Sequence, residues 1–347
     1  MSKFSGQRKV VDQFFAGRHG RRAHTRNPRI FRVRGTLLAL GLFLLLGLLS
    51  GCESDDCVNC IELPAPVVPT GVHSISGDNL VIVQWYDLSY EPYDGQYNPN
   101  VVAYYIYSRY YTPGDENIGD REFSYIGEVA WDENYLSSGL HYFYDDLAVN
   151  GEEYEYAVTA VNEAGRESAL SFEFVIDAPL PMNLDPTEIF DVNQNPSLAG
   201  WDFSRLDNGR VDPTAPGSTA DIRMVFQGGV PYVQTNHEGV EIQDFGVFLD
   251  SENYLIFEGV SYAPSGGYSS TGTIELIVGH IYVLRIYDPI AGTHYAKFGV
   301  TSITDDPEDL VDSVGIIWAY QTIAGLPELS VPEKPATHDL KPMTISF

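Results

Sequence analysis

The sequence predicts an all-β protein, and three observations carry that prediction. Apolar and polar residues alternate with a period of two in many short segments, as at Val81, Val83 and Trp85, the pattern of strands with one buried face. Turn-forming residues recur between these segments. In residues 187–347 no segment shows a helical period longer than two turns. Two proline-bearing stretches, LPAPVVP at 63–69 and DAPLPMNLDP at 177–186, then divide the β region into two domains, because prolines favour extended, unpaired chain.

Residues 1–35 hold half of the 20 basic residues and only one acid, Asp12. They precede an uncharged run at 36–51 (TLLALGLFLLLGLLSG) that ends at Cys52. A membrane-spanning helix needs about 20 apolar residues, whereas a signal-peptide core needs about 7–15 followed by small residues. The sixteen residues of the run lie near that border, and Leu49-Ser50-Gly51-Cys52 decides for the second reading. This resembles a bacterial lipoprotein signal peptide with its lipobox. The resemblance implies cleavage before Cys52, acyl chains on that cysteine, and stable attachment to a membrane by more than one chain. Arg21-Arg22 lacks the neighbours of a twin-arginine signal. Residues 1–51 are thus expected to be a signal peptide, and everything after Cys52 to fold outside the cytoplasm.

Removing those residues leaves 10 basic side chains (20 less 10) and 47 acids (48 less 1), a net charge of −37. Such a surface repels phosphate backbones, so nucleic acid is excluded as a partner. Cys57 and Cys60 fall in a short polar tether, residues 52–64, with Glu53, Ser54, Asp55 and Asp56. A Cys-x-x-Cys pair serves redox chemistry or half a zinc site. With no second pair following, a local disulfide in an oxidising compartment is the expectation. The acidic stretch after Cys52 resembles export signals of surface-displayed lipoproteins, which implies the outer membrane, on its periplasmic or cell-surface side.

In residues 65–178 six strands are expected, around Val81–Trp85, Tyr104–Ser108, 123–129, 142–144, 154–161 and 170–175. A proline lead-in, Val81-x-Val83-x-Trp85, Ala103-Tyr-Tyr-Ile-Tyr-Ser108 and the run from Leu147 through Tyr154 to Gly165 resemble a fibronectin type III domain. The resemblance implies that Trp85 is the core tryptophan of the second strand and that the Tyr154 hydroxyl ties back to the preceding loop. Such domains act as spacers or adhesion modules, so a stalk is expected here. The tyrosine-dense run 104–111 offers rings for sugar stacking, although alternation places about half of them in the core.

A linker is expected at 179–186, followed by a second antiparallel β domain at 187–347 with strands at 220–226, 230–235, 240–248, 254–257, 273–278, 282–287, 295–303 and 315–322. Gly200-Trp201-Asp202, Val233-Gln-Thr-Asn236, His294-Tyr-Ala-Lys-Phe-Gly-Val300 and Gly315-Ile-Ile-Trp-Ala-Tyr-Gln321 resemble, in order, the HmuY family of haem-binding outer-membrane lipoproteins. Haem iron takes histidine, methionine, cysteine or tyrosine ligands. His237, His280 and His294 are therefore candidate haem ligands, alongside Met224 and many tyrosines; a solvated histidine making ordinary hydrogen bonds is the plainer alternative for each.

Enzyme chemistry finds little footing. There is no Gly-x-Ser-x-Gly elbow and no phosphate loop, and His237-Glu238-Gly-Val-Glu241 lacks the second histidine of a zinc protease motif. Asp305-Asp306-Pro307-Glu308-Asp309 lacks the spacing and glycine of a calcium loop. The expected function is a non-enzymatic, lipid-anchored binding protein in which a fibronectin type III stalk presents a HmuY-like domain, with haem as the implied ligand. The alternative is adhesion or scaffolding through protein or glycan partners.

Overall fold

The computed structural model describes residues 63–88, 100–111, 122–134, 139–173, 175–206, 208–269, 271–305 and 312–332. The chain divides into Met1–Ile61 and Glu62–Phe347. The first, with the signal segment, Cys52, Cys57 and Cys60, lies outside the described residues.

Strands β1 (His73–Gly77), β2 (Leu80–Tyr86) and β5 (Leu140–Asp145) form one antiparallel sheet, in the order β1-β2-β5. Strands β3 (Val101–Tyr111), β4 (Ser124–Ala130), β6 (Glu153–Asn162) and β7 (Val175–Asp177) form a second, in the order β4-β3-β6-β7. Trp85, Tyr104, Ile106, Tyr156 and Val158 fill the space between them, all fully buried. Burial of each such side chain contributes about 1.5–3 kcal/mol. Trp85 meets Tyr104 edge-on, with ring centroids 5.3 Å apart, and lies over His141 at 5.9 Å. This is a fibronectin type III-like sandwich of seven strands, one more than the alternation suggested. The extra strand, β1, reads HSISG and holds one large apolar residue, Ile75, so it leaves little periodic signal. The strand expected at 170–175 begins only at Val175.

The segment expected as a linker, 179–186, is not a free linker. Strand β8 (Met182–Phe190) starts inside it and Leu180 is fully buried. The prolines misled because β8 is the edge strand of its sheet. There Pro186 faces an irregularity in the pairing with β17 (Ser313–Gln321), between Ile316 and Trp318, and an edge tolerates a missing N–H.

The second sandwich faces two five-stranded sheets. One runs β10-β9-β11-β12-β14, built from β9 (Gly200–Trp201), β10 (Arg210–Val211), β11 (Ile222–Gln227), β12 (Val230–Thr235) and β14 (Thr273–Glu275). The other runs β13-β15-β16-β17-β8, with β13 (Val240–Val247), β15 (His280–Asp288) and β16 (Gly292–Thr304). Phe203, Ile222, Met224, Tyr282, Leu284, Phe298 and Ile316 interdigitate between them. Met224 is thereby a core residue with no exposure. The strand expected at 254–257 is a single bridge, Leu249 to Leu255, followed by a 3-10 turn at Phe257–Gly259.

Each sandwich is pinned by a tyrosine corner. The Tyr154 hydroxyl accepts the Val149 N–H at 3.0 Å. In the second sandwich the Tyr282 hydroxyl accepts the Ile277 N–H and donates to the Glu275 carbonyl, both at 2.9 Å. Three residues before each tyrosine stands a glycine of nearly identical positive φ, Gly151 at +85° and Gly279 at +84°, a region that residues with a Cβ seldom enter. The same device thus turns the chain into β6 and into β15.

The two sandwiches meet along a seam. The Leu180 N–H donates to the Gly77 carbonyl at 3.1 Å and the Gly151 N–H to the Pro179 carbonyl at 3.2 Å. Ser76 Oγ lies 3.1 Å from Ser330 Oγ.

Candidate functional site

The three candidate histidines do not share a pocket. His237 stands in the turn between β12 and β13, 41% exposed, its Nε2 3.4 Å from Asp221 Oδ1. The other Asp221 oxygen accepts the Phe203 N–H at 2.8 Å, which ties this turn to the start of β9's neighbourhood. Burial raises the Asp221 pKa, and the bond to that carboxylate raises the His237 pKa. His294 is buried, stacks on Tyr320 at 5.8 Å and sets its Nδ1 3.3 Å from the Gln321 carbonyl. His280 opens β15, with Nδ1 3.0 Å from Asp244.

The strand register separates them. His294 pairs with Ile286, and Ile286 pairs with Val240, three residues after His237. His237 and His294 therefore approach the same end of the sandwich. His280 is six residues up β15 from Ile286, about 20 Å away along an extended strand. Among the described residues, no group of three or more histidines, cysteines and carboxylates is arranged to hold a metal ion.

A cleft of about 500 Å³ opens instead at the seam between the sandwiches. One rim comes from two turns of the first sandwich, at Asp78-Asn79 and Asn150. These turns lock each other: the Asn79 N–H donates to Asn150 Oδ1 at 2.8 Å, and the Asn150 N–H donates to Asn79 Oδ1 at 3.1 Å. Asn150 Nδ2 also donates to Asp78 Oδ1 at 2.7 Å. Asn79 adopts a φ of +49°, which asparagine tolerates better than other side-chain-bearing residues.

The opposite rim is the start of β8 with Asn183 and Thr187, and the loop carrying Leu206, Asn208 and Arg210. Trp201 of β9 and Trp318 of β17 also line the cleft, with ring centroids 5.8 Å apart and exposures of 4% and 3%. Gly209 lets the loop lie directly on the Trp201 indole, because a Cβ there would collide with that ring.

Three buried donors converge on these residues. Trp201 Nε1, Trp318 Nε1 and Arg210 Nε have no hydrogen-bond acceptor among the described residues, although Arg210 Nη2 donates to the Glu188 carbonyl at 2.9 Å. A buried N–H without a partner costs roughly 1–3 kcal/mol. Leu206 adds backbone strain, with φ +47° and ψ −74°. Among the described residues it is the one positive-φ residue that is neither glycine nor asparagine. Strain of this kind costs about 1–3 kcal/mol and gathers at ligand clamps.

None of His237, His280 and His294 lines the cleft. In the sequence Trp201 and Trp318 stand out only through the HmuY resemblance and Asn150 only through the fibronectin type III one, while nothing local marks Arg210 as a site residue. The local signals available were the turn dipeptides Asp78-Asn79 and Asn150-Gly151, whose Asn79 and Gly151 have positive φ. The tyrosine run also resolves: Tyr104 is core, Tyr105 and Tyr107 pack edge-on to Tyr125, and Tyr110 tilts over Tyr154 at 5.2 Å while remaining mostly exposed.

No family model matches the chain and no curated protein matches it. Among solved structures it is similar to a myokine structure at 18% identity, covering 33% of this chain and 99% of that one with a TM-score of 0.21. It is similar to the chicken CNTN1 FN1–FN3 domains at 12% identity, covering 64% and 59% of the two chains with a TM-score of 0.27. Titin kinase with its flanking domains is similar at 13% identity, covering 76% of this chain and 39% of that one with a TM-score of 0.23.

Proposed function

We propose that the chain is a non-enzymatic, lipid-anchored binding protein of the bacterial outer membrane, tethered through Cys52, whose two β-sandwiches together hold a ligand. The observation that carries this reading is the seam cleft, because both sandwiches contribute side chains to it and its lining retains unpartnered donors and a strained leucine. A stalk that merely spaced the second domain from the membrane would have no need of a shared, polar cleft. The first sandwich thus acts as half of a binding site. In the anchor's test, Cys52→Ser moves the protein from the membrane fraction to the soluble fraction; continued sedimentation with membranes would refute the lipobox. In the binding test, solubilised envelope components raise the melting temperature of the detergent-extracted full chain; no rise with any fraction would refute the binding reading.

The resemblance to the HmuY family supports a second reading, haem capture. One observation favours it: His237, His294 and Tyr320 gather at one end of the second sandwich, and these are residue types that ligate haem iron. Hemin added to the full chain would then give a Soret shift that His237→Ala weakens, and no shift at micromolar hemin would dispose of it.

A further inference from the structure

We propose that the seam cleft is a saccharide site, taking a neutral mono- to trisaccharide through its amide rim and its buried indole and guanidinium donors. This deepens the binding-protein reading and rests on it. Three chemical features select the ligand class. The rim carries primary amides, Asn79, Asn150, Asn183 and Asn208. Asn79 and Asn150 bond each other and Asp78, and Asn183 bonds Thr187 and Asp185, yet each amide has a second N–H and a second lone pair, matching hydroxyls that both donate and accept. Beneath them lie Trp201, Trp318 and Arg210, whose Nε groups are buried with no acceptor among the described residues; a sugar hydroxyl that displaces the atoms covering them would supply one. The cleft volume of about 500 Å³ lies in the range of small-ligand sites, about 300–1,000 Å³.

Charge excludes the other oxygen-rich ligands. Arg210 is the one cationic residue among those lining the cleft, and Asp78 stands on the rim. With a chain of net charge −28 around it, a nucleotide or polyphosphate would meet repulsion rather than a clamp. An apolar ligand would cover the spare N–H groups and lone pairs of the rim amides, which is unfavourable. Pre-organisation favours a rigid, weakly interacting ligand such as a sugar. The reciprocal Asn79–Asn150 bonds hold the rim in place before binding, so little ordering is lost when the ligand arrives.

The experiment uses the full chain in detergent against an array of neutral hexose and N-acetylhexosamine oligosaccharides with uronic-acid counterparts. The best neutral ligand is then titrated by calorimetry into the wild type, Asn208→Ala and Trp318→Phe. The neutral members are expected to bind, and each substitution to weaken binding about tenfold, with Asn208→Ala leaving the melting temperature unchanged. If Trp318→Phe fails to fold, Asn208→Ala and Asn183→Ala carry the test. No binding to any neutral saccharide, or binding that neither rim substitution alters, would overturn the proposal. A retained melting shift with envelope extract in either of those cases would leave the wider binding reading standing, so the two failures are separable.

Discussion

Asp177, at the seam, makes the strongest quantitative prediction. It is fully buried and accepts the Ser76 hydroxyl on Oδ1 at 2.7 Å, while Oδ2 has no hydrogen-bond partner among the described residues. Ser76 contacts Ser330, whose hydroxyl donates to Glu328 at 2.9 Å. Burial pushes the Asp177 pKa up to about 6 from 3.8, with the Ser74, Ser76 and Ala178 hydrogen bonds opposing it. Burial pushes Glu328 up to about 7, helped by Asp177 and Glu153. Glu153 is itself raised by burial, and Tyr262 faces both Glu328 and Asp177. The folded chain therefore holds protons that the unfolded chain has released. The stability this confers is complete below the unfolded values near pH 4 and is lost as pH rises through about 6 and 7. At 1.36 kcal/mol per unit, the Asp177 shift corresponds to a ceiling of about 3 kcal/mol; Glu328 titrates with it, so the two do not add. Asp177→Asn keeps the Ser76 bond and removes the charge. It is expected to raise stability by about 2 kcal/mol at pH 8 and by almost nothing at pH 4, because part of the ceiling is returned when the charge-assisted hydrogen bond is lost. Urea denaturation at both pH values reads the effect. A gain of equal size at pH 4 and pH 8, or a wild-type midpoint that increases between them, would refute the reasoning.

The two tyrosine corners predict matching losses. Tyr154→Phe and Tyr282→Phe should each cost about 1–2 kcal/mol by removing a single hydroxyl that accepts a backbone N–H; urea midpoints measure both. Lys297 is fully buried, donates to the Phe257 and Val260 carbonyls at 2.8 Å, and lies over the Phe257 ring at 4.3 Å. Lys297→Met should cost about 2–4 kcal/mol because both carbonyls lose their donor, and protease nicking near 257–260 should increase. Burial pulls the Lys297 pKa down to about 7. The folded state therefore disfavours its proton, and the lysine's own contribution diminishes as pH falls from about 10 to 7. A Lys297→Met penalty that is smaller at pH 7 than at pH 9 would bear this out in a pair of urea titrations.

The fold was readable wherever burial followed a simple period. Val81, Val83 and Trp85 could be placed because strands with one buried face repeat every second residue. Tyr154 could be assigned a hydrogen bond because the run from Leu147 to Gly165 resembles a fibronectin type III domain. Its counterpart Tyr282 has the same spacing from Gly279, so the signal was present, but Ile277-Val278-Gly279 lacks the asparagine that marks the first corner as a turn. The apparent linker failed for a different reason. Proline content reports local stiffness, and a proline on an edge strand is compatible with pairing on its other side, so Met182–Phe190 could be read as either.

The site was less legible than the fold, and the cause is distance along the chain. Asn79 and Asn150 are 71 residues apart, and Trp201 and Trp318 reach each other only through the packing of two sheets. No local spacing encodes such a meeting. What sequence does carry is the chemistry of a single residue, and here it pointed to histidines, because histidine is a versatile ligand in isolation. Each of those histidines proves to be held by the protein itself: by Asp221, by Asp244 and by the Gln321 carbonyl. The tryptophans and Arg210 show the reverse. They are ordinary core-forming or structural residues by type, yet they keep buried N–H groups with no acceptor among the described residues. A binding site is therefore better sought in what the folded chain leaves unsatisfied than in the residue types most often seen as ligands. Unpartnered atoms also lie inside the first sandwich, as at Trp85 Nε1, so what distinguishes the seam is three of them on residues that line a cleft, with a strained Leu206 beside them.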